Sequence, residues 1–246
     1  MPNGITVVIP AFNEEANVAD AIRTVQEAFR GYLDDYEILV VNDGSSDRTG
    51  EIAEAEAKKD SRVRVLHNKC NSGHAYTLNR GYKTAIKDYL TVFPGDNELT
   101  AGYLRTFLQE MGKEDMIISY YIASMNERPL YRRIISHSFV IILNIIFGLH
   151  LKCYNSATLC RTADVRSLEL KSSKGMTILA ECLIRLIKSG STYKEVPCDF
   201  ISRKGVRSRA LSFKNLAECF KIIFVLFWDV YILRRPRRIM AEPRTL

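Results

Sequence analysis

Short apolar runs alternate with segments that repeat apolar residues every three or four positions through the first half of the chain. Ile5 to Ile9 is an apolar run of the kind buried on both faces of a parallel sheet. Val18, Ile22, Val25 and Phe29 then recur at helical spacing. Asn13 reads as the N-cap of that helix, with Glu14 and Glu15 in its first turn, where acids suit the helix dipole. Further strands are predicted at Tyr36 to Val41, Val63 to Leu66, Tyr89 to Phe93 and Met116 to Tyr120. Between them lie an alanine-rich helix after Asp47 and a helix through Leu78, Tyr82 and Ala85. Strand–helix alternation predicts an α/β fold with an open, mostly parallel sheet flanked by crossover helices.

The second half is less regular. Ser138 to Leu149 and Ile222 to Leu233 are strongly apolar, but both fall short of the ~20 residues that span a bilayer. Residues 1–210 read as one domain and 211–246 as a basic, amphipathic extension. Phe213, Leu216, Phe220, Phe224 and Phe227 recur at helical spacing there, followed by Trp228, Tyr231 and Arg234, Arg235, Arg237 and Arg238. Such a segment suits the surface of an anionic membrane. The alternative is a core helix or one that forms a homodimer.

Each strand is followed by small and polar residues: Asn13 and Glu14 after the first, Asp43 after the second, Asp96 and Glu98 after the fourth. Ligands of open α/β sheets bind outside the carboxyl ends of strands, where strand order reverses. If the first and fourth strands are neighbours at that reversal, these acids converge on one crevice. Convergent carboxylates repel unless a cation joins them. Hard oxygen ligands suit Mg²⁺ or Mn²⁺, which commonly bridge to substrate phosphates, so a pyrophosphate ligand is the simplest partner. Neither a Walker A loop nor a GxGxxG stretch is present. Asp47 is explained well enough as a turn or cap residue. At Asp96 the turn is already made by Pro94 and Gly95, which leaves its carboxylate as the better ligand candidate.

The formal net charge is +7, and much of the excess sits late, in Arg203, Lys204, Arg207, Arg209 and the final arginines. That points to an anionic partner. No nucleic-acid motif accompanies it, so nucleic acid is not the expected one. The six cysteines, at 70, 153, 160, 182, 198 and 219, form no CxxC pair and read as reduced, buried thiols of a cytosolic protein.

Val7-Val8-Ile9-Pro10-Ala11-Phe12-Asn13-Glu14-Glu15 with Val40-Val41-Asn42-Asp43-Gly44-Ser45-Ser46-Asp47 resembles glycosyltransferase family 2, of GT-A fold, and within it the dolichol- or polyprenyl-phosphate sugar synthases. His67-Asn68 and Asn71-Ser72-Gly73 are similar to the family's third loop, and Gly95-Asp96-Asn97-Glu98 falls where its D-x-D motif belongs. Glu181, Gly190 and Glu195-Val196-Pro197 look like the acceptor-side helix and the strand after it. Arg203, Ser208 and Arg209 keep the spacing of the R-x-x-G-x-S-K loop. The departures are Pro94 for the first aspartate of D-x-D, Val206 where the loop glycine usually stands, and His74 where glycine or lysine is common.

The resemblance implies an inverting transferase that uses a GDP- or UDP-sugar. Pro10, Ala11, Asn13, Glu14, Asp43, Gly73 and Asp96 would hold the donor, Asp43 reading the base and Glu14 lying near the ribose. Asp96 and Glu98 would hold Mg²⁺ or Mn²⁺ on the diphosphate. Asp96, Arg203 and Glu181 would be catalytic, and Arg203, Ser208 and Arg209 would bind the acceptor phosphate; their run of cations is expected to close over the phosphates of donor and acceptor. The expected acceptor is a polyprenyl phosphate presented at the inner face of the membrane, with the enzyme cytoplasmic and peripherally attached. The alternative is a saccharide hydroxyl in cell-surface polysaccharide synthesis, with Glu181 as base. A nucleotidyltransferase would be expected to carry a glycine-rich phosphate loop near the first strand, and Pro10-Ala11-Phe12-Asn13 is not one.

Overall fold

The computed structural model describes residues 4–121, 130–172, 177–198 and 213–233. Among the described residues, seven strands form one sheet: β1 (Ile5–Ala11), β2 (Tyr36–Asn42), β3 (Val63–His67), β4 (Tyr89–Val92), β5 (Met116–Tyr121), β6 (Thr158–Arg161) and β7 (Tyr193–Cys198). Their order is β3-β2-β1-β4-β6-β5-β7. The β1–β2, β1–β4, β2–β3 and β5–β7 pairs are parallel, and β6 runs antiparallel to both its neighbours. β6 has only four residues and no alternation to announce it, so the sequence pattern did not reveal it.

The helices are α1 (Val18–Phe29), α2 (Thr49–Ala57), α3 (His74–Thr84), α4 (Ala101–Glu110), α5 (Leu130–Phe147), α6 (Thr162–Arg166), α7 (Thr177–Lys188) and α8 (Phe213–Phe227), the last running into a π-helical turn at Trp228–Ile232. The apolar stripe predicted for α1 is its core face, since Val18, Ile22, Val25 and Phe29 are all fully buried. Strands β1 and β2 are buried along almost their whole length, as parallel strands covered on both faces must be. Gly81 in α3 lets that helix settle against β1. A Cβ there would come within 2.4 Å of a Val8 methyl.

Two expectations need correction. Asn13 does not cap α1, which begins at Val18 with Asn17 in the cap position. Asn13 instead takes a left-handed backbone, φ 56°, because residues 13 to 15 are held by the loop after β2 rather than by the helix. The thiols were expected to be buried, but Cys70 is exposed, Cys153 and Cys219 are half-buried, and Cys160, Cys182 and Cys198 alone are buried.

The apolar residues of α8 divide between two faces. Ile222 and Leu226 enter the main core, while Phe220, Phe224 and Phe227 are exposed. Asp229, which interrupts the apolar run in sequence, is buried because Arg185 of α7 meets it at 2.8 Å. Among the described residues no helix is long and apolar enough to cross a membrane.

Candidate active site

The order β3-β2-β1 followed by β4 on the other side of β1 makes the β1–β4 boundary the point where the strand sequence reverses. There the chain leaves adjacent strands in diverging directions and opens a crevice at their carboxyl ends. The loops that follow β1, β2 and β4 therefore share one end of the sheet.

The first two loops are laced together. The Asn13 amide donates to Ser45 Oγ at 3.0 Å, and Asn13 Oδ1 accepts from the Ser46 amide at 3.0 Å. The Glu14 amide donates to Thr49 Oγ1 at 2.7 Å, and the Glu15 amide donates to Asp47 Oδ2 at 3.1 Å. Asp47 also accepts the Thr49 amide, so it organises the entry to α2, as its turn reading implied. Burial alone would raise the Asp47 pKa, but the bonds donated by Thr49 and by the Glu15 amide outweigh it and hold the carboxyl below its ordinary value.

Asp43, 4% exposed, gathers the third loop. Its carboxylate accepts Asn68 Nδ2 at 2.7 Å and the amides of Ser72 and Gly73 at 2.9 Å each. Its own amide donates to the Ala11 carbonyl at 2.8 Å, fixing it to the end of β1. Gly44 has φ 67° and lies against the Cys70–Asn71 backbone, where a Cβ would approach Cys70 C to 2.5 Å. His74 opens α3 beside Asp43. Its desolvated position disfavours the imidazolium and holds its pKa below the usual value, with Asp43 pulling weakly the other way.

The fourth-strand loop closes as a turn, the Asn97 amide donating to the Pro94 carbonyl at 3.1 Å. Gly95 passes so close to β1 that a Cβ would stand 2.6 Å from the Pro10 carbonyl oxygen and 3.3 Å from Ala11. This glycine is what allows the Asp96 loop to lie against the Pro10–Ala11 loop. Asp96 is half-buried, and its Oδ1 accepts the Glu98 amide at 3.3 Å. Among the described residues no three His, Cys, Asp or Glu side chains gather as a metal site. A carboxylate from Asp96 with Glu98 nearby suits Mg²⁺ or Mn²⁺, which keeps few protein ligands and completes its shell with phosphate and water. It does not suit a closed structural site.

The remaining predicted residues are placed differently. Glu181 is fully buried in α7. Its carboxylate accepts the backbone amides of Lys171 and Ser172 at 2.8 Å each and Arg185 Nε at 2.9 Å. Arg203, Ser208 and Arg209, with the loop that carries them, lie outside the described residues. Ser45, Ser46 and Thr49, which hold Asn13 and Glu14 in place, were not singled out from sequence. The available signal was the Asn42-Asp43-Gly44-Ser45 turn pattern.

A mostly parallel sheet whose strand order reverses at β1–β4, with loops carrying Asp43 and Asp96 at that end, defines a GT-A-type α/β domain. Solved structures of Mycobacterium tuberculosis glucosyl-3-phosphoglycerate synthase share it, one with a TM-score of 0.67 at 17% identity over 92% of this chain and 80% of that one. The family model described as Glycosyl transferase family 2 matches residues 6–168, and the chain belongs to that family.

Among curated relatives, an undecaprenyl-phosphate mannosyltransferase from Micrococcus luteus is 25% identical over 81% of this chain and 84% of its own length. A dolichol-phosphate mannosyltransferase from Pyrococcus furiosus is 28% identical over 92% of this chain and 64% of its own. The uncharacterized glycosyltransferase EpsJ of Bacillus subtilis is 32% identical over 50% of this chain, which spans only 36% of it.

Proposed function

We propose that this glycosyltransferase moves a sugar, with inversion, from a nucleoside diphosphate sugar to a polyprenyl phosphate at a membrane surface. The observation that carries the donor half is the meeting of the β1, β2 and β4 loops at the sheet reversal, with Asp43 and Asp96 on them. On this reading the Pro10–Glu14 segment, Asp43 and Gly73 hold the nucleoside. Asp96, with Glu98, holds Mg²⁺ or Mn²⁺, which when bound offsets the charge that grows on the diphosphate as the glycosidic bond breaks. Complexes of the glucosyl-3-phosphoglycerate synthase with UDP and Mn²⁺ or Mg²⁺ support this use of the fold.

The acceptor half rests on similarity along most of the chain to the undecaprenyl- and dolichol-phosphate mannosyltransferases. A hydroxyl acceptor needs a general base within hydrogen-bond reach, whereas a phosphate is already anionic and needs cations to place it. The fully buried, thrice-bonded carboxylate of Glu181 speaks for a positioning role rather than for a base. Arg203, Ser208 and Arg209 supply cations and a hydroxyl for the acceptor phosphate. Exposed Ile134, Ile141 and Ile145 of α5 and Phe220, Phe224 and Trp228 at the C-terminal end offer apolar surface that a bilayer would cover.

The test is a panel of UDP- and GDP-sugars with Mn²⁺ and a polyprenyl phosphate. The expected product is a glycolipid whose sugar–phosphate link breaks in mild acid. An enzyme that ignores the lipid and glycosylates a soluble saccharide would overturn the acceptor assignment.

A further inference from the structure

Behind the nucleotide loops lies a polar junction that the proposed chemistry does not use. Asn42, the last residue of β2, accepts the Ser45 amide on Oδ1 at 3.1 Å and so shapes the Asp43-Gly44-Ser45 turn. With its oxygen committed, the Asn42 amide nitrogen is the atom that faces His67 Nδ1, 3.1 Å away. An amide nitrogen can only donate, so Nδ1 must accept, and the ring proton of a neutral His67 sits on Nε2. That nitrogen meets Glu54 Oε1 of α2 at 2.9 Å, which accepts it. Gly50 of α2 leaves room for the junction. A Cβ there would stand 2.7 Å from the Asn42 amide nitrogen and 3.2 Å from the His67 ring.

We infer that His67 is a positioning residue for donor binding, and that only its neutral, Nε2-protonated form holds the nucleotide loop in shape. A second proton on Nδ1 would confront the Asn42 NH₂ with another donor. Asn42 would have to turn its oxygen toward His67 and give up the Ser45 amide. Ser45 Oγ carries the Asn13 amide, so the disturbance passes to the β1 loop. Two charged groups face His67: Glu54 on α2 meets Nε2, and Arg80 on α3 donates to the His67 carbonyl at 2.6 Å. Asp43 is one residue removed, held through Asn68, and His74 is a separate imidazole beside Asp43. This inference rests on the proposed nucleotide-sugar site, but the junction can be tested without a donor.

Imidazole and amide ¹⁵N spectra of the ligand-free protein, followed over roughly pH 8 to 5, provide that test. His67 should show the Nε2–H tautomer at the upper end. The Ser45 amide should move as the pH is lowered, do so unchanged in His74→Gln, and stop doing so in His67→Gln. A Ser45 amide that ignores His67, or an Nδ1–H tautomer, overturns the inference. In the enzyme, the donor KM should rise roughly three- to tenfold on acidification, the loss of about one hydrogen bond, with little change in kcat. His67→Gln should abolish that rise. A KM rise that survives in His67→Gln would equally refute the assignment. A protein that binds neither UDP nor GDP at any pH, yet couples Ser45 to His67, would instead defeat the donor reading and leave the junction standing.

Discussion

At the scale of single residues, the site is made by groups that serve the backbone first. Asp43 spends its carboxylate on Asn68, Ser72 and Gly73, so one charge orders a loop some 30 positions away in the chain. Asp96 stands on a turn that only Gly95 permits. Replacing Asp96 by Asn should cut kcat/KM by on the order of 100-fold or more and remove metal-dependent donor binding, while the urea midpoint stays near wild type. Turnover close to normal at saturating Mn²⁺ would exclude Asp96 as the metal ligand.

His74 adds a pH dependence of known sign. Its folded-state pKa lies below the ordinary 6.5, so the unfolded chain takes up the proton first. Stability should therefore decline as pH falls from 6.5 through the lower folded value. Urea midpoints at two pH values check this, and His74→Gln should show a smaller loss than wild type.

At the scale of elements, a buried ionic chain ties three parts of the fold together. Glu181 of α7 holds the Lys171 and Ser172 amides and Arg185, and Arg185 reaches Asp229 in the π-helical turn after α8. Burial disfavours the Arg185 guanidinium, yet bonding to Asp229 and the Glu181 charge raise its pKa above the ordinary value. Arg185→Ala would leave two buried carboxylates without their cation and should cost about 3–5 kcal/mol in urea unfolding. Glu181→Gln should also lower the midpoint, but keep much of its turnover with a polyprenyl phosphate acceptor. If turnover collapses while the fold holds, Glu181 is the base of a hydroxyl-directed reaction after all.

At the scale of the whole molecule, the apolar surface is unevenly placed. The exposed isoleucines of α5 include Ile145 at 76%, and stacking of Phe147 on Tyr231 at 6.3 Å brings α5 beside the C-terminal turn. In sequence, four arginines follow between positions 234 and 238. The protein should float with vesicles that contain anionic lipid and remain behind with neutral ones, and added salt should weaken recovery. Equal recovery with both, or none with either, would count against surface attachment and favour a self-associating face.

What the sequence determined by itself were the elements whose cause is local. The strands from Ile5, Tyr36, Val63, Tyr89 and Met116 and the stripe of α1 are periodicities that burial on a sheet imposes on neighbouring residues. Asp43 and Asp96 were legible for a related reason, since polar residues directly after buried strands have nowhere to lie but the sheet's end. The adjacency of β1 and β4 was only a condition on the reading until the sheet was closed, because pairing of Val8 with Val92 leaves no trace in the residues near either. Asn13 looked like a helix cap because a cap needs only an amide oxygen ahead of a helix. Its actual partners, Ser45 and Ser46, are more than thirty residues on. Glu181 read as a candidate catalytic group and Asp229 as a break in an apolar run until packing joined them through Arg185, and the division of α8 into a buried and an exposed face was decided by which side met α7. Local spacing records which residues share a face, and only the tertiary contacts say what that face meets.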